Sequence, residues 1–239
     1  MVWREADSQA FIDYGRYFVP ERELQIKLFC DLVPGENGRF DILELCCGAG
    51  LLAEALLTRF PTVIVHGYDG SPEMLTHAKQ QLADYGDHFR PRLFDLADSS
   101  WRATEPTYHA VVSSLAVHHL DGEQKQQLFA DVYRMLLPGG VFLLADVVQP
   151  VSEAGTAVAA DMWDEATRQR ALQLDGTLDG FAYFQDEQWN MYRYPELPES
   201  SIDKPSSIFD QLKWLEKAGF GQVDLFWMKA GHALFGGSK

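Results

Sequence analysis

The sequence predicts an α/β fold built on a doubly wound, mostly parallel sheet. Two observations predict it. Between residues 40 and 147, short apolar runs alternate with stretches of helical spacing, and strand–helix alternation on this scale implies right-handed crossovers that put helices on both faces of the sheet. The first run, DILEL at 41–45, leads directly into the glycine turn CCGAG at 46–50. Strand-to-helix turns of that kind are where such sheets bind ligands.

The elements follow in order. Residues 1–35 read as helical, with Phe11, Tyr14, Phe18, Leu24, Leu28 and Leu32 as the apolar positions and a break at Pro20. Pro34, Gly35 and Gly38 close this arm, which spans 1–38. Strands are predicted at 41–45, 62–68, 90–94, 108–114 and 140–147, and helices at 49–60, 72–85 and 122–136. Ser71 followed by Pro72 is a helix cap with proline at the first helical position. Asp121 with Gln124 is a variant of the capping box. LLPGG at 136–140 stops the third helix and starts the fifth strand. Residues 150–205 break the rhythm: a helical run near 157–174 is followed by aromatics, prolines and acids with little period. An excursion of that length is a lid, a binding loop or an interface. Helical spacing returns at 206–218. Two last strands, 223–227 and 232–235, read as a hairpin and bring the sheet to seven strands. With 239 residues the chain reads as one domain with a sizeable core: an arm (1–38), a core (40–147), an insertion (150–205) and a closing helix and hairpin (206–239).

Composition narrows the function. There are 35 acidic and 20 basic residues, a net charge of −15, which opposes loose association with nucleic acid. A small-molecule substrate is the default. No apolar run reaches the roughly 18 residues of a membrane helix, and the polar start MVWREADSQAF has no apolar signal region, so the expectation is a cytoplasmic protein without membrane attachment. Cys30, Cys46 and Cys47 form no CxxC pattern. They read as small buried residues in a reduced compartment rather than as ligands of a soft metal, and no metal is expected.

The glycine turn carries the chemistry. Gly48 and Gly50 let backbone approach a ligand where a Cβ would collide. The second apolar run delivers Asp69 to a strand end about twenty residues past the turn, where a carboxylate grips ribose hydroxyls. The ligand is therefore a nucleoside-containing cofactor. A dinucleotide is disfavoured: the pattern GxGxxG finds Cys46, Gly48 and Leu51 at its three glycine places, and Leu51 hinders close helix packing. Cys46 fits the turn if its φ is negative.

The stretch Glu44-Leu-Cys46-Cys-Gly48-Ala-Gly50 instead resembles the first motif of the class I S-adenosylmethionine (SAM) methyltransferases, with Cys46 in place of a glycine. The resemblance runs through 40–147 and includes the closing hairpin, which in that family inserts the last strand antiparallel. It implies a Rossmann-like methyltransferase fold, SAM as cofactor and S-adenosylhomocysteine as product. It further implies that Asp69 and the adjoining Gly70 meet the ribose and that Met74 packs on the adenine. Asp95 would accept the adenine amino group's hydrogen bond, with the amide of Leu96 against the ring. Ser114 would contact the methionine end. Each has a plainer reading as well: Met74 as core, Asp95 as a turn residue, Ser114 as a strand end. His118 and His119 follow the fourth strand. A histidine can accept a proton as methyl arrives, but a junction histidine can equally be structural.

A second, narrower resemblance joins YGRYFVPER at 14–22 and the ending LEKAGFGQV to the branch whose enzymes form carboxy-SAM for tRNA uridine modification. It implies that the arm folds over the methionine moiety, with Arg22 near its carboxylate and Tyr14 and Tyr17 along the wall. In the insertion, Trp163 and Tyr192 are candidates for the substrate pocket, or else for packing or a homodimer contact. Three functions stay open: a SAM-dependent methyltransferase acting on a small molecule by in-line displacement, a tRNA-modifying or carboxy-SAM-forming enzyme of the same fold, and a SAM-binding regulator without catalysis.

Overall fold

A computed structural model of the chain describes residues 5–35, 40–102, 105, 107–195 and 201–239. Gly38, predicted to close the arm, lies outside them. The arm is two helices, α1 (Glu5–Phe18) and α2 (Arg22–Leu32), bent at Pro20 and Glu21. The core follows as β1 (Phe40–Leu45), α3 (Leu51–Arg59), β2 (Val63–Asp69), α4 (Pro72–Gln81), β3 (Arg92–Leu93), β4 (Tyr108–Ser114), α5 (Gly122–Met135) and β5 (Leu136–Val147). The insertion holds α6 (Glu153–Asp175) and α7 (Asp179–Asp186). The chain closes with α8 (Ile208–Ala218), β6 (Gly221–Lys229) and β7 (His232–Ser238).

The seven strands are ordered β3-β2-β1-β4-β5-β7-β6. β1 to β5 pair in parallel, and β7 is inserted antiparallel between β5 and β6. This is the Rossmann-like methyltransferase architecture. Alternation along β1 divides its side chains between two faces. Leu43 and Leu45 join Leu128, Phe129, Val132 and Leu215 under α5 and α8. Ile42 joins Phe29, Leu52, Leu56 and Ala78 under α2, α3 and α4. Full burial of each such side chain contributes roughly 1.5–3 kcal/mol. A third cluster packs the arm on the insertion through Tyr17, Phe18, Trp163, Phe184 and Tyr192.

The element boundaries depart from expectation where backbone chemistry intervenes. α3 starts at Leu51 rather than 49 because Gly50 is left-handed, at φ 93. β3 shrinks from five residues to two: Pro91 has no N–H to donate at this sheet edge. The predicted helix 72–85 ends at Gln81 and passes into a 3₁₀ turn, Ala83–His88. LLPGG starts the fifth strand as expected, but already from Leu136 rather than 140, set off by a register shift against Tyr108 and Ala110. The insertion holds two helices where one was expected, and Ser152 caps the first.

Register positions the site. Leu45 lies opposite Tyr68 on one side and Ser113 on the other. The carboxyl ends of β1, β2 and β4 therefore open on one crevice, at the point where strand order reverses.

Candidate active site

The turn after β1 is built from left-handed backbone. Cys46, Gly48 and Gly50 have φ of 56, 54 and 93. The expectation of a negative φ at Cys46 is thus corrected: this cysteine adopts the glycine-like conformation itself, at a local cost of about 1–3 kcal/mol. Leu115, just past β4, is left-handed too, at φ 56, so strained non-glycine backbone flanks the crevice on two strands. At Gly50 a Cβ would meet Leu82 at 3.0 Å and Ala78 at 3.3 Å; the missing side chain is what lets α3 begin against α4. Burial, then nearby carboxylates, push both the Cys46 and Cys47 thiols well above their ordinary pKa. They are not the thiolates that bind metal or react with oxidants.

Asp69 ends β2 across from this turn. Its Oδ2 accepts from the amide of Gly48 at 2.8 Å, and its Oδ1 from the amide of Ser71 at 2.8 Å. These two backbone amides fix the orientation of the carboxylate. Ser71 caps α4 through the Met74 amide, as its sequence position predicts. Met74 is buried, and its sulfur lies 3.9 Å from where a Cβ on Gly48 would stand. Gly70 adjoins Asp69, and Phe94 donates its amide to the Asp69 carbonyl. Asp95 is exposed and its Oδ1 accepts from the Ala97 amide, while Leu96 packs on the core.

Three residues meet from distant segments. Glu44 is buried in β1, and its Oε2 has no hydrogen-bond partner among the described residues. Burial raises its pKa to about 8, with Arg22 pulling it down and Asp69 pushing it up. Arg22 donates from Nη1 to Ser114 Oγ at 3.0 Å. Ser113, by contrast, is committed to the Leu45 carbonyl at 2.9 Å. Arg22 reaches this point because Glu21, left-handed at φ 50, turns the chain. Glu21 also pins the bend to β6, accepting from Trp227 Nε1 at 3.0 Å and Lys229 Nζ at 2.5 Å. Ser8 on α1 donates to Ser71 Oγ at 3.1 Å, which brings the arm onto the second motif.

The two histidines differ. His118 is held by Asp146 at the end of β5: Nδ1 to Oδ1 at 2.5 Å, and backbone amide to Oδ2 at 2.9 Å. Its Nε2 lies 3.4 Å from Asp203, which also faces His119 Nδ1 at 3.1 Å. Burial would lower the His118 pKa, yet Asp146 and then Asp203 raise it to about 10. Both carboxylates favour the charged ring, which supports the structural reading of His118 over that of proton acceptor. His119 is lowered, by burial and by the charge of His118, and stays neutral. Asp146 and Asp203 were missed from sequence. Asp146 had a signal, a carboxylate closing a strand that opens on the crevice; Asp203 had none.

The aromatic candidates occupy the arm–insertion seam. Tyr14 stacks on Tyr183 at 3.8 Å, and Tyr17 donates its hydroxyl to Asp175. Trp163 is buried and its indole donates to the Phe18 carbonyl at 2.7 Å. Tyr192 is buried too, with its hydroxyl on the carbonyls of Val148 and Gly231 at 2.8 Å each. Of the readings open for them, substrate pocket, packing or homodimer contact, polar atoms spent inside the seam favour packing.

Residues 42–140 match the methyltransferase domain family. That segment is a methyltransferase domain by this match. An uncharacterized methyltransferase of Synechocystis is 32% identical over 117 residues, 49% of this chain and 50% of that protein. A carboxy-S-adenosyl-L-methionine synthase of Desulforapulum autotrophicum is 25% identical over 191 residues, 79% of this chain and 70% of that one. Among solved structures, an O-methyltransferase family protein from Burkholderia thailandensis superposes with a TM-score of 0.67 at 14% identity, over 98% of this chain and 59% of that one; this likeness speaks to the fold alone. The chain spans about half the length of the first curated relatives it matches. Among the described residues no helix is long and apolar enough to cross a membrane.

Proposed function

We propose that the protein transfers the methyl group of SAM to a small-molecule acceptor. The observation that carries this reading is the convergence of Glu44, Arg22 and Asp69 on one crevice. Glu44 presents a buried oxygen without a partner among the described residues, beside a guanidinium. That pair fits an amino-acid end: the carboxylate of Glu44 for an ammonium, Arg22 for a carboxylate. Ser114 orients Arg22. Asp69, at the end of β2, takes the ribose diol. The left-handed turn at Cys46, Gly48 and Gly50 admits the ligand against bare backbone, with Met74, Asp95 and Leu96 lining the adenine side and Gly70 beside the ribose.

When bound, SAM supplies a methyl group already activated by its sulfonium. The residues of the chain then have to align acceptor, carbon and sulfur in line and keep water out. Positioning of that order supplies about 7 kcal/mol or more of a barrier. No proton transfer is placed on His118, which its two carboxylates hold protonated. The acidic charge, −15 overall, supports a small acceptor over RNA. A second reading, formation of carboxy-SAM, draws on the likeness to the synthase named above and on the arm that delivers Arg22. Incubating the protein with SAM and panels of small acids, hydroxyls, amines and thiols, or with tRNA, separates the two by mass: a methylated acceptor supports the first, a carboxylated SAM the second.

Arg22 gives a sharper test of the pocket. Arg22→Met should weaken S-adenosylhomocysteine binding ten- to a hundredfold, since a hydrogen bond to a charged group contributes about 1.5–3 kcal/mol. It should leave binding of 5′-methylthioadenosine, which has no amino-acid end, unchanged. The pH profile follows from Glu44. Its carboxylate form pairs with the ammonium, so S-adenosylhomocysteine affinity should fall as pH drops through about 8. Equal loss for both ligands, or affinity flat in pH, would remove these assignments; calorimetry reads both.

A further inference from the structure

Beyond the crevice, the end of β4 carries a cluster that methyl transfer does not use. His118, His119 and Asp203 each present a ligand atom, and all of these atoms lie within 4.8 Å of one another. We propose that these three residues form a binding site for a first-row divalent metal ion of the zinc–cobalt kind, with Asp146 as the carboxylate that orients His118. The proposal does not rest on the methyltransferase reading.

The donor set is the first reason. Two imidazoles and one carboxylate suit zinc, cobalt and iron, and three protein ligands leave one or more positions open. The spacing is the second. Ligand atoms about 2.1 Å from a tetrahedral ion stand about 3.4 Å from each other. His118 Nε2 lies 3.4 Å from Asp203 Oδ1, and His119 Nδ1 lies 3.1 Å from the same oxygen. Two edges of the triangle thus match, and the third is no longer than 4.8 Å.

The surroundings are the third reason. A metal-bound histidine characteristically gives its other ring nitrogen to a carboxylate, which sets the tautomer and turns the ring. Nδ1 of His118 meets Asp146 Oδ1 at 2.5 Å, and Asp146 is itself fixed by the amides of His118 and Val147 at 2.9 Å each. Nε2 is thereby aimed at Asp203. The segment bearing Asp203 is fixed as well. The Lys204 amide donates to the His118 carbonyl at 2.7 Å. The buried Lys125 ammonium binds the Lys204 carbonyl and Ser206 Oγ. The three ligands thus sit on restrained backbone; His119 and Asp203 are partly exposed and His118 is buried beneath them. On binding, the metal takes the place of the proton on His118 Nε2, and that proton leaves to solvent.

The test is titration of the metal-free protein with Co²⁺ alone, followed by visible absorption, with Zn²⁺ as competitor. One Co²⁺ per chain should bind, giving weak visible ligand-field bands, releasing protons, and being displaced by Zn²⁺. His119→Ala and Asp203→Asn should each weaken binding at least tenfold, while His77→Ala should not. X-ray absorption of the zinc-loaded wild type provides a readout independent of how the variants fold: it should show nitrogen and oxygen neighbours with an imidazole signature. Failure of the wild type to bind, binding unaltered in both folded variants, or a sulfur shell pointing to Cys46 and Cys47 would each overturn the proposal.

Discussion

Asp69→Ala should abolish measurable binding of SAM and S-adenosylhomocysteine, a loss of at least about a hundredfold. The reasoning starts from two charge-assisted hydrogen bonds to the ribose, each contributing about 1.5–3 kcal/mol. The same carboxylate also holds the amides of Gly48 and Ser71, so alanine loosens the turn as well. Asp69→Asn keeps the shape and one acceptor oxygen but loses the charge and turns an NH₂ toward one of the two backbone amides. In thermal melts without ligand its stability should fall by about 1–3 kcal/mol, so the decisive readout is the gain on adding ligand. With S-adenosylhomocysteine at a hundred times the wild-type Kd, wild type gains about 2.7 kcal/mol, and the variant should gain almost nothing. A variant that is stabilised as much as wild type would take the ribose away from Asp69.

Asp146→Ala should cost about 3–5 kcal/mol of stability at pH 6. Removing one partner of a buried ion pair strands the other charge; here the His118 imidazolium is left with Asp203 alone, at 3.4 Å. The pH dependence has a definite sign. The folded pKa of His118, about 10, lies above its unfolded value of about 6.5. The stability it contributes is therefore fully present below about pH 6.5 and is lost as pH rises toward 10, at up to about 1.4 kcal/mol per pH unit. The cost of Asp146→Ala should thus shrink between pH 6 and pH 9, leaving only the pH-independent part from the amides of His118 and Val147. Glu44, raised to about 8, adds its own decline with pH, and Lys125, lowered to about 8, opposes the decline above that point. Glu44 acts alike in wild type and variant, while Asp146 also favours the Lys125 ammonium, so that lysine adds to the difference near pH 8. Urea melts at the two pH values decide it; a cost under 1 kcal/mol, or one that grows with pH, would contradict the ion pair.

How much of this could be read from residues alone depended on whether the signal was local. Strand–helix alternation and the caps at Ser71 and Asp121 are local, and so the doubly wound sheet and its crevice were legible. Glu44, Gly48, Gly50 and Asp69 were legible because a turn needs glycine and a ribose needs a carboxylate at a strand end. Cys46 was half legible: its place in the turn was apparent, but its positive φ is imposed by the surrounding strands. Ser114 was distinguished from Ser113 only by which of them faces Arg22, a contact spanning 92 residues. Asp203 was not legible. It lies in a segment without period, and nothing nearby announces that Lys125 and the His118 carbonyl will clamp it beside two histidines. Trp163 and Tyr192 were left between readings for a related reason: an aromatic in an irregular insertion looks the same in sequence whether it lines a pocket or fills a seam.

The central claim is that a SAM-shaped ligand lies across the carboxyl ends of β1, β2 and β4. A crystal structure of the protein with S-adenosylhomocysteine tests it most directly. The account predicts ligand density over the Cys46–Gly50 turn, with the ribose hydroxyls on Asp69, the amino group on Glu44 and the carboxylate on Arg22. A crevice left empty at saturating ligand, or a ligand bound elsewhere with Asp69 untouched, would contradict it.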